Sequence, residues 1–551
     1  MIIRFAYRYS IQLIFIFAPM NRFVRYAAVT AIIFYSCNGN KEKSPPPVAP
    51  RDTTINKTNS YSELFFDSAS MEKYIVAEKL HDTLADRVRS FYNSRNYQYA
   101  WFLDGTIAEY VPTFIEMQNN YIGYSGDSSL YDPRLEGIID SIKNNKDSFN
   151  VKSPLLMNTE LRLTEQFFRF ANRAWAGSNQ QPKDLGWFIP RKKVDVVSLL
   201  DSLIRNKGKD VSRYEPVNRQ YNLLKEYLLK YYGIEKEGGW PAITDPGKKV
   251  YKEGDSSAVI TQIKRRLFAS GDFEGNDTSS SFTPRLAEAV KNYQTRYGFT
   301  SDGKVNSKLV KEMNKPVGDR IRQILINMER IRWVPAEPPA NYLLINIPEY
   351  RLHVYENGKY AWNMGVVVGT PAHNTVIFSG DLKYVVFSPY WNVPPGILKN
   401  EVLPGIRRDP SYLARHHMEK IGNSVRQKPG PWNSLGGVKF LFPNSYNIYL
   451  HDTPSRSLFD RDQRAFSHGC IRLHEPKRLA QYLLRDDPKW DSASIDKAMK
   501  SQKEQYVTLK QTVPVFIGYF TAWVDREGRL NFRDDVYGHD KKMAEHLFAV
   551  K

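Results

Sequence analysis

Cysteine is scarce in this chain: Cys37 and Cys470 are its two cysteines among 551 residues. Each has a separate explanation, given below, so we expect no disulfide framework. The imidazoles of His451, His468 and His474 could be combined with Cys470 into a zinc site, but no ligand pair has the CxxC or HExxH spacing. We therefore expect no metal and no other cofactor.

The chain also lacks a basic run interleaved with aromatic residues, the pattern typical of nucleic-acid-binding segments. Its formal net charge is nevertheless +19. This charge suits lipid headgroups or the carboxylate-rich peptides of a cell wall, although a solvated basic surface would explain it equally well. With 42% hydrophobic and 25% charged residues, the composition is that of a folded protein, and the length predicts three or four domains.

No apolar stretch near the N-terminus is both long and uninterrupted. Between Ile11 and Phe34 the apolar residues are broken by Arg22 and Arg25, so a transmembrane anchor is the alternative rather than the first interpretation. Starting at Met20, a basic segment, a short apolar run and Ser36 precede Cys37. Residues 1–37 resemble a bacterial lipoprotein signal, and the resemblance implies that Cys37 is lipidated.

The periodicity of the remaining chain changes several times. Residues 38–60 are polar and Pro-rich, which predicts a tether, and 61–240 show the apolar spacing of helices. After the break at Gly238-Gly239-Trp240-Pro241, three helices are expected in 250–315. From 340 to 500 the pattern alternates with period two and predicts strands, and 501–551 is expected to pack as a tail on another domain.

The segment Ser467-His468-Gly469-Cys470 places a thiol behind a small glycine and beside an imidazole. A thiolate attacks carbonyl carbon well, so Cys470 is the candidate nucleophile and His451, at a predicted strand end, the candidate base. We expect nearby cationic groups to lower the thiol pKa, and the Gly469 and Cys470 N–H groups to face an oxyanion. Ser467 and His468 would support the loop. The alternative is a buried cysteine that packs as a small hydrophobe.

His451, a spacer of fifteen residues and Ser467-His468-Gly469-Cys470 together resemble the signature of L,D-transpeptidases. Arg472, two residues after the cysteine, is typical of a large multidomain subgroup. The resemblance implies a multidomain α+β fold. Its parts would be a helical scaffold domain, a small three-helix peptidoglycan-binding module and a mainly β catalytic domain, with a capping insert at 396–435.

The resemblance also implies an activity. Cys470 would attack the third-position diamino acid of one tetrapeptide stem, release the terminal D-alanine and pass the acyl group to an amine of a second stem. Hydrolysis of the same acyl-enzyme, as in an L,D-carboxypeptidase, is one alternative. An inactive wall-binding lipoprotein scaffold is another.

Substrate contacts are expected from residues around the thiol and from the insert: Tyr449, Arg472, Tyr390, Trp391 and Trp432. Arg472 could hold a stem-peptide carboxylate or form a structural salt bridge. Within the insert, Tyr412, Arg415 and Trp432 could close over the substrate as a lid. The expected partners are peptidoglycan stem peptides and, through Cys37, a bacterial membrane, with the protein a monomer in the periplasm.

Overall fold

The computed structural model describes residues 48–103, 106–144, 154–177, 182–190, 194–209, 217–244, 250–275 and 277–548. The predicted signal, with Met20 and Cys37, lies outside these residues, as do 38–47 of the predicted tether. The chain forms two compact units: Met1–Ala108 with Gly137–Glu165, and Glu109–Glu136 with Gln166–Lys551. Within the described ranges, no helix combines the length and apolarity required to cross a membrane.

The N-terminal part of the chain is helical because its apolar residues recur at helical spacing. Leu84, Val88 and Phe91 lie on one face of the helix Asp82–Asn93 and are buried. The helices are Ser68–Ala77, Asp82–Asn93, Val111–Ser125, Pro133–Asn144, Pro154–Ala171, Val196–Arg205, Arg219–Lys236, Ala258–Ala269, Pro284–Tyr297, Ser307–Met313, Val317–Arg332, Pro395–Ile397, Leu403–Arg408, Tyr412–Arg415, Pro476–Leu484, Ser492–Lys500 and His539–Leu547.

The strands of the described residues are β1 Phe102–Leu103, β2 Thr106–Ile107, β3 Val250–Tyr251, β4 Val305–Asn306, β5 Tyr342–Asn346, β6 Arg351–Glu356, β7 Lys359–Gly369, β8 Ser379–Phe387, β9 Trp391–Asn392, β10 Met418–Ile421, β11 Ser424–Gln427, β12 Val438–Leu441, β13 Leu450–His451, β14 Ala465–Ser467, β15 Ile471–Leu473, β16 Gln505–Gly518, β17 Ala522–Val524 and β18 Leu530–Phe532. Nine of them form one sheet in the order β14-β7-β15-β13-β12-β8-β16-β5-β6, and β6 also pairs with β7.

Strand β16 changes the interpretation of the C-terminal residues. It lies between β8 and β5, antiparallel to β8 and parallel to β5. Val515 and Ile517 on this strand are fully buried in the core of the sheet. Part of the segment predicted as a tail, 501–551, is therefore an inner strand of the mainly β domain.

The three helices of the small module run from Ala258 to Met313. Thr283 caps the second helix and Pro284 begins it, whereas Gly298 ends it with a φ of 76°, in the left-handed region that glycine adopts without strain. This helix end packs on the hairpin of β17 and β18, with the rings of Tyr297 and Phe532 5.5 Å apart. The module is thus joined to residues from the far end of the chain.

The insert between β9 and β12 has a structure of its own. Strands β10, β11 and β9 form a small antiparallel sheet, and short helical segments lie between β9 and β10 in the chain. Val393, Val402 and Val425 form its own hydrophobic cluster. The predicted insert is therefore a folded subdomain rather than a long loop.

Candidate active site

Two short parallel strands bring the predicted nucleophile and base together. In β13 and β15, Leu450 pairs with Ile471, and His451 pairs with Arg472. Leu450 and Ile471 are fully buried in the core, so the flanking side chains point to the opposite face, because side chains alternate along a strand. His451, Arg472, Tyr449 and Cys470 consequently lie on one face of the sheet.

His451 is held in one orientation and is neutral. Its side chain is buried, and Nδ1 lies 2.5 Å from the carbonyl oxygen of Asp452. A carbonyl can only accept, so Nδ1 carries the proton and Nε2 keeps its lone pair. Burial lowers the pKa of His451 to about 3, a value that includes the opposing effect of the Asp452 hydrogen bond and a smaller lowering by the charge of Arg472. The imidazole can therefore accept a proton at Nε2 at neutral pH.

The Cys470 thiol is protonated in this environment. Sγ donates to the Asn447 carbonyl oxygen over 3.6 Å, and the backbone N–H and the hydroxyl of Tyr449 donate to the sulfur. Burial raises the pKa of Cys470, and the Tyr449 hydrogen bonds and the Arg472 charge oppose this effect without cancelling it. The expectation of a lowered thiol pKa is therefore wrong, because burial disfavours the thiolate more than its neighbours favour it.

Two hydrogen bonds of the Ser467 hydroxyl stabilise the loop of residues 467–470, which is named the nucleophile loop after the predicted nucleophile Cys470. Ser467 Oγ donates to the Cys470 carbonyl oxygen at 2.5 Å and accepts from the Gly469 N–H at 3.2 Å. The Gly469 N–H is thus already engaged, which leaves the Cys470 N–H as the backbone donor for an oxyanion. Gly469 has a φ of 108°, a conformation that other residues rarely adopt.

Two residues that are distant in the sequence, Thr375 and Tyr537, stabilise this loop through a chain of hydrogen bonds. Thr375 Oγ1 donates to the Gly469 carbonyl oxygen at 2.8 Å and accepts from the Gly369 N–H at 2.9 Å. The hydroxyl of Tyr537 donates to the Gly369 carbonyl oxygen at 2.7 Å and accepts from the Thr375 N–H at 3.3 Å. The C-terminal segment therefore helps to fix the position of the loop that carries the thiol.

A row of basic side chains crosses the same face. Lys439 on β12 pairs with His451, which pairs with Arg472 on β15. Burial lowers the pKa of Lys439, and Glu504, 3.6 Å away, opposes this effect. The Nε of Arg472 is buried without a hydrogen-bond partner in the described part of the chain. The surroundings of His451 are therefore electropositive on both sides.

The turn after His451 is held by Asp452. Its carboxylate accepts from the Gly437 N–H at 2.8 Å, the Thr453 N–H at 2.7 Å and the Arg456 guanidinium at 2.6 Å. Gly436, with a φ of 61°, packs so closely that a Cβ there would lie 2.4 Å from this carboxylate. These contacts fix the peptide whose carbonyl orients His451.

The insert contacts the nucleophile loop through one pair of side chains. Nε2 of His468 lies 3.5 Å from the carboxylate of Glu401, and the His468 ring also lies 4.8 Å from the ring of His373. His468, half exposed, therefore links the loop to the insert.

Three of the aromatic residues predicted to bind substrate, Tyr390, Trp391 and Trp432, have side-chain contacts with residues of the insert, whereas Tyr449 lies at the thiol. The guanidinium of Arg426 covers the ring of Tyr390 at 3.8 Å, Trp391 packs on the cluster within the insert, and Trp432 stacks on His417 at 3.8 Å. Their contact with substrate stays a prediction. Among the lid candidates, Tyr412 packs on the same cluster, and Arg415 pairs with Asp409.

Sequence reasoning missed Lys439, Thr375, Tyr537 and Glu401. Lys439 could have been found from the strand alternation only if the pairing of β12 with β13 were known. Thr375 meets the loop at Gly469 from 94 residues away along the chain, and Tyr537 meets Gly369 from 168 residues away, so no local pattern signals them. No group of three or more His, Cys, Asp or Glu residues suited to a metal occurs in the described ranges.

Three family models match separate parts of the chain. The "L,D-transpeptidase catalytic domain" matches residues 340–496, the "Scaffold domain" residues 86–228, and the "Putative peptidoglycan binding domain" residues 256–313. The thiol, the imidazole and the insert all lie inside the first of these matches.

One curated relative is a "Putative L,D-transpeptidase" from Haemophilus influenzae, 28% identical over 313 residues. The match covers 52% of this chain and 63% of the relative. Among solved structures, an L,D-transpeptidase from Xylanimonas cellulosilytica is 12% identical, with 50% of this chain and 100% of that chain covered and a TM-score of 0.18. One from Stackebrandtia nassauensis is 14% identical, with 51% and 97% covered and a TM-score of 0.21.

Proposed function

Since the chain carries an L,D-transpeptidase catalytic domain, together with a scaffold domain and a peptidoglycan-binding domain, we propose that it cross-links peptidoglycan stem peptides through an acyl-enzyme on Cys470. One observation carries the proposal. The thiol and a neutral imidazole lie on the same face of paired strands, and the imidazole has Nε2 free because Nδ1 donates to Asp452. This is the arrangement needed for general-base activation of a nucleophile.

In the first half-reaction, Nε2 of His451 takes the thiol proton as Sγ attacks the carbonyl carbon of the third-position diamino acid. The negative charge that develops on the carbonyl oxygen is stabilised by the Cys470 N–H. His451 then gives its proton to the leaving amine, and the terminal D-alanine departs as the thioester forms. The imidazole is neutral again at the end of this step.

In the second half-reaction, the side-chain amine of another stem attacks the thioester. His451 takes the proton that the amine loses and returns it to the departing sulfur, so the thiol is restored. The amine must arrive unprotonated to act as a nucleophile, and the electropositive row of Lys439, His451 and Arg472 favours that form.

The same row supports a proposal for recognition. A stem peptide carries carboxylates, and Arg472 has a half-buried guanidinium whose Nε has no partner among the described residues. A carboxylate of the donor stem would satisfy it and would be held by a charge-assisted hydrogen bond. Tyr449, whose hydroxyl reaches the sulfur, would hold the thiol in position rather than bind the peptide.

The remaining predictions about location belong to the same proposal. A cell-wall substrate requires a site outside the cytoplasm, and a lipid on Cys37 would hold the enzyme at a bacterial membrane. The tether predicted at 38–60 is shorter than expected, because Ala49, Asp52 and Ile55 are hydrogen-bonded to residues 90–96, so the residues before Ala49 would provide the reach. Incorporation of labelled palmitate, lost on Cys37→Ala, is the expected observation. Unchanged labelling would contradict the anchor and leave the proposed chemistry untouched.

The Cys470→Ala variant tests the chemistry. We expect it to form no cross-links in digests of peptidoglycan and to gain no mass on exposure to a carbapenem, whereas the unaltered protein gains one adduct. Ser501→Ala, a polar-to-alanine change outside the site, is the matched control and should behave like the unaltered protein. Cross-linking by Cys470→Ala would overturn the proposal, and the absence of an adduct on the unaltered protein would favour an inactive scaffold.

A further inference from the structure

A second cleft of about 960 Å³ opens on the mainly β domain. None of Cys470, His451 and Arg472 is among its lining residues. One of its walls comes from the small helical module, between Tyr297 and Lys308, and another from the C-terminal hairpin between Trp523 and Asn531. The proposed transpeptidation does not use this cleft.

The floor of the cleft is the outer face of β5, β6 and β7. Along β6, Leu352 and Val354 are fully buried in the core, whereas Arg351, His353 and Tyr355 alternate with them and line the cleft. Because side chains alternate along β6, one face of the strand packs in the core and the other face forms the floor of the cleft.

Aromatic rings occupy one end of the floor. Tyr342 and Tyr355 are paired across β5 and β6, with their rings stacked 4.4 Å apart at an angle of 2°. Tyr360 on β7 meets Tyr355 edge-on at 5.9 Å, and the guanidinium of Arg526 lies 3.9 Å from the Tyr360 ring. Rigid, partly exposed aromatic faces of this kind can bind the apolar face of a sugar ring.

Arginines occupy the other end. Arg351 donates to the Asn363 side chain, Arg464 donates to the backbone carbonyls of Tyr350 and Arg461, and Arg533 donates to the carbonyls of Thr295 and Arg296. All three side chains line the cleft, and each guanidinium has more N–H groups than these hydrogen bonds use. Burial and the positive charges of Arg351 and Arg464, against the opposing charges of Glu349 and Asp534, lower the pKa of Arg533 to about 10.

Acidic residues nearby offset part of the charge of this arginine cluster. Glu349 is hydrogen-bonded to His353 at 2.8 Å. Asp462 accepts from Thr300 at 2.6 Å, and Asp534 pairs with Lys315 at 3.1 Å. Each of these carboxylates also interacts electrostatically with at least one arginine of the cluster. Among all the charged side chains that line the cleft, seven are Arg or Lys and six are Asp or Glu, so the positive excess is small. An anion would therefore be held by charge-assisted hydrogen bonds from guanidinium N–H groups rather than by a large net charge.

We propose that this second cleft binds a saccharide that bears a carboxylate, as the glycan strand of peptidoglycan does where its muramic acid carries the lactyl group. The tyrosines would stack on the sugar and the arginines would bind the carboxylate. The choice of this glycan rests on the proposed function, because the neighbouring module is a peptidoglycan-binding domain. Bound there, the strand would contact the module and the catalytic domain together.

The test measures binding by the full chain carrying Cys470→Ala. The probe is a peptide-free glycan of alternating N-acetylglucosamine and N-acetylmuramic acid, which has the lactyl carboxylate but no stem peptide for the thiol site. We expect this glycan to bind at least about fivefold more tightly than a neutral N-acetylglucosamine oligomer of the same length. When Arg351→Gln is combined with Cys470→Ala, the glycan should bind at least about fivefold more weakly, and its Kd should depend less on the salt concentration.

Arg322→Gln, which changes an exposed arginine outside the cleft, is the matched control and should leave Kd unchanged. Arg526→Gln is a second cleft variant and should also weaken binding, so the result does not depend on the folding of one variant. Equal Kd values for the two saccharides, or normal binding by both cleft variants, would overturn the proposal. Competition by inorganic phosphate as effective as that by the glycan would identify a simple anion site and overturn it as well.

Carbapenem adduct formation by Arg351→Gln with Cys470 intact separates this proposal from the proposed function. A normal adduct with weakened glycan binding supports both. Absence of an adduct on the unaltered protein would argue against the enzyme activity, whereas the glycan measurements would still decide the role of the cleft.

Discussion

At the scale of single residues, the proposed mechanism makes the reactivity of Cys470 depend on the protonation of His451. Burial lowers the pKa of His451 to about 3 and raises that of Cys470 above its ordinary value. The neutral imidazole and the protonated thiol therefore coexist across the neutral range. Proton transfer accompanies attack in such a pair, whereas a thiolate–imidazolium pair would be formed in advance.

This arrangement predicts an unusual pH profile. The rate of carbapenem adduct formation should be flat between about pH 5 and 8, without an inflection near the ordinary histidine pKa of about 6.5, because His451 gains a proton only near pH 3. Stopped-flow kinetics or timed mass spectra would measure it. An acidic limb near pH 6.5 would show that His451 is protonated there and would contradict the buried, neutral imidazole.

The lowered pKa of His451 also makes the stability of the folded protein depend on pH. A histidine whose folded pKa lies below its unfolded value favours the folded state fully above the unfolded value, and this contribution is lost as the pH falls toward about 3. His451→Gln, which cannot titrate, should therefore lose less stability than the unaltered protein between about pH 6.5 and 4. Its adduct formation should fall by at least about a hundredfold, since the base is absent.

At the scale of elements, the insert between β9 and β12 has its own sheet and its own hydrophobic cluster. It reaches the nucleophile loop through Glu401 and His468. An element that folds independently and contacts the loop at an exposed pair can move without disturbing the catalytic strands. Closure of such an element excludes water from an acyl-enzyme and positions the acceptor amine.

Replacing residues 398–432 by a short Gly–Ser linker should therefore lower cross-linking much more than carbapenem adduct formation. The share of tripeptide hydrolysis product should rise, because water then reaches the thioester more easily than the amine does. Chromatography of the digested products gives the ratio, and Ile421→Ser, at an exposed position of β10, is the control. An equal fall in both reactions, or an unchanged ratio, would show that the insert acts only in packing.

The elements also show which parts of the fold were predictable. The dipeptide Asn357-Gly358 is typical of a two-residue hairpin turn, and the structure forms a hairpin there: both residues have positive φ, 51° and 72°, and they join β6 to β7. Strand β16 was not foreseen before Phe516, because its first half alternates weakly and is largely exposed. The place of β16 in the sheet depends on its pairing with β8 and β5. The local sequence of β16 does not indicate which strands it pairs with.

In the candidate active site too, some features could be predicted from the sequence and others could not. Residue type and spacing were enough to predict Cys470 as nucleophile and His451 as base, and the structure places both on one face of paired strands. Their catalytic roles stay predictions. The raised thiol pKa, the engaged Gly469 N–H and the support from Thr375 and Tyr537 depend on burial and on contacts between distant segments. Those properties arise only when the strands are in register.

At the scale of the whole molecule, the peptidoglycan-binding module is attached by residues from both of its sequence flanks and from the C-terminus. Arg296 at the end of its second helix forms a buried pair with Asp272 and donates to the Leu530 carbonyl oxygen. Phe532, 1% exposed, lies between Tyr297 of the module, Tyr231 and the guanidinium of Arg320. The module is therefore docked, and a polymer bound to it would be presented to the thiol in a restricted set of orientations.

Phe532→Ala should weaken this docking, because truncating a buried phenylalanine costs about 3–5 kcal/mol. We expect faster amide hydrogen exchange in Pro284–Tyr297 and less cross-linking of intact sacculi, with carbapenem adduct formation changed by less than about twofold. Phe268→Ala, a truncation at an exposed position of the same module, should alter none of the three. Adduct formation that falls in parallel with cross-linking would mean that Phe532 supports the catalytic fold itself. Unchanged cross-linking despite faster exchange would mean that the docked orientation of the module does not matter for transfer.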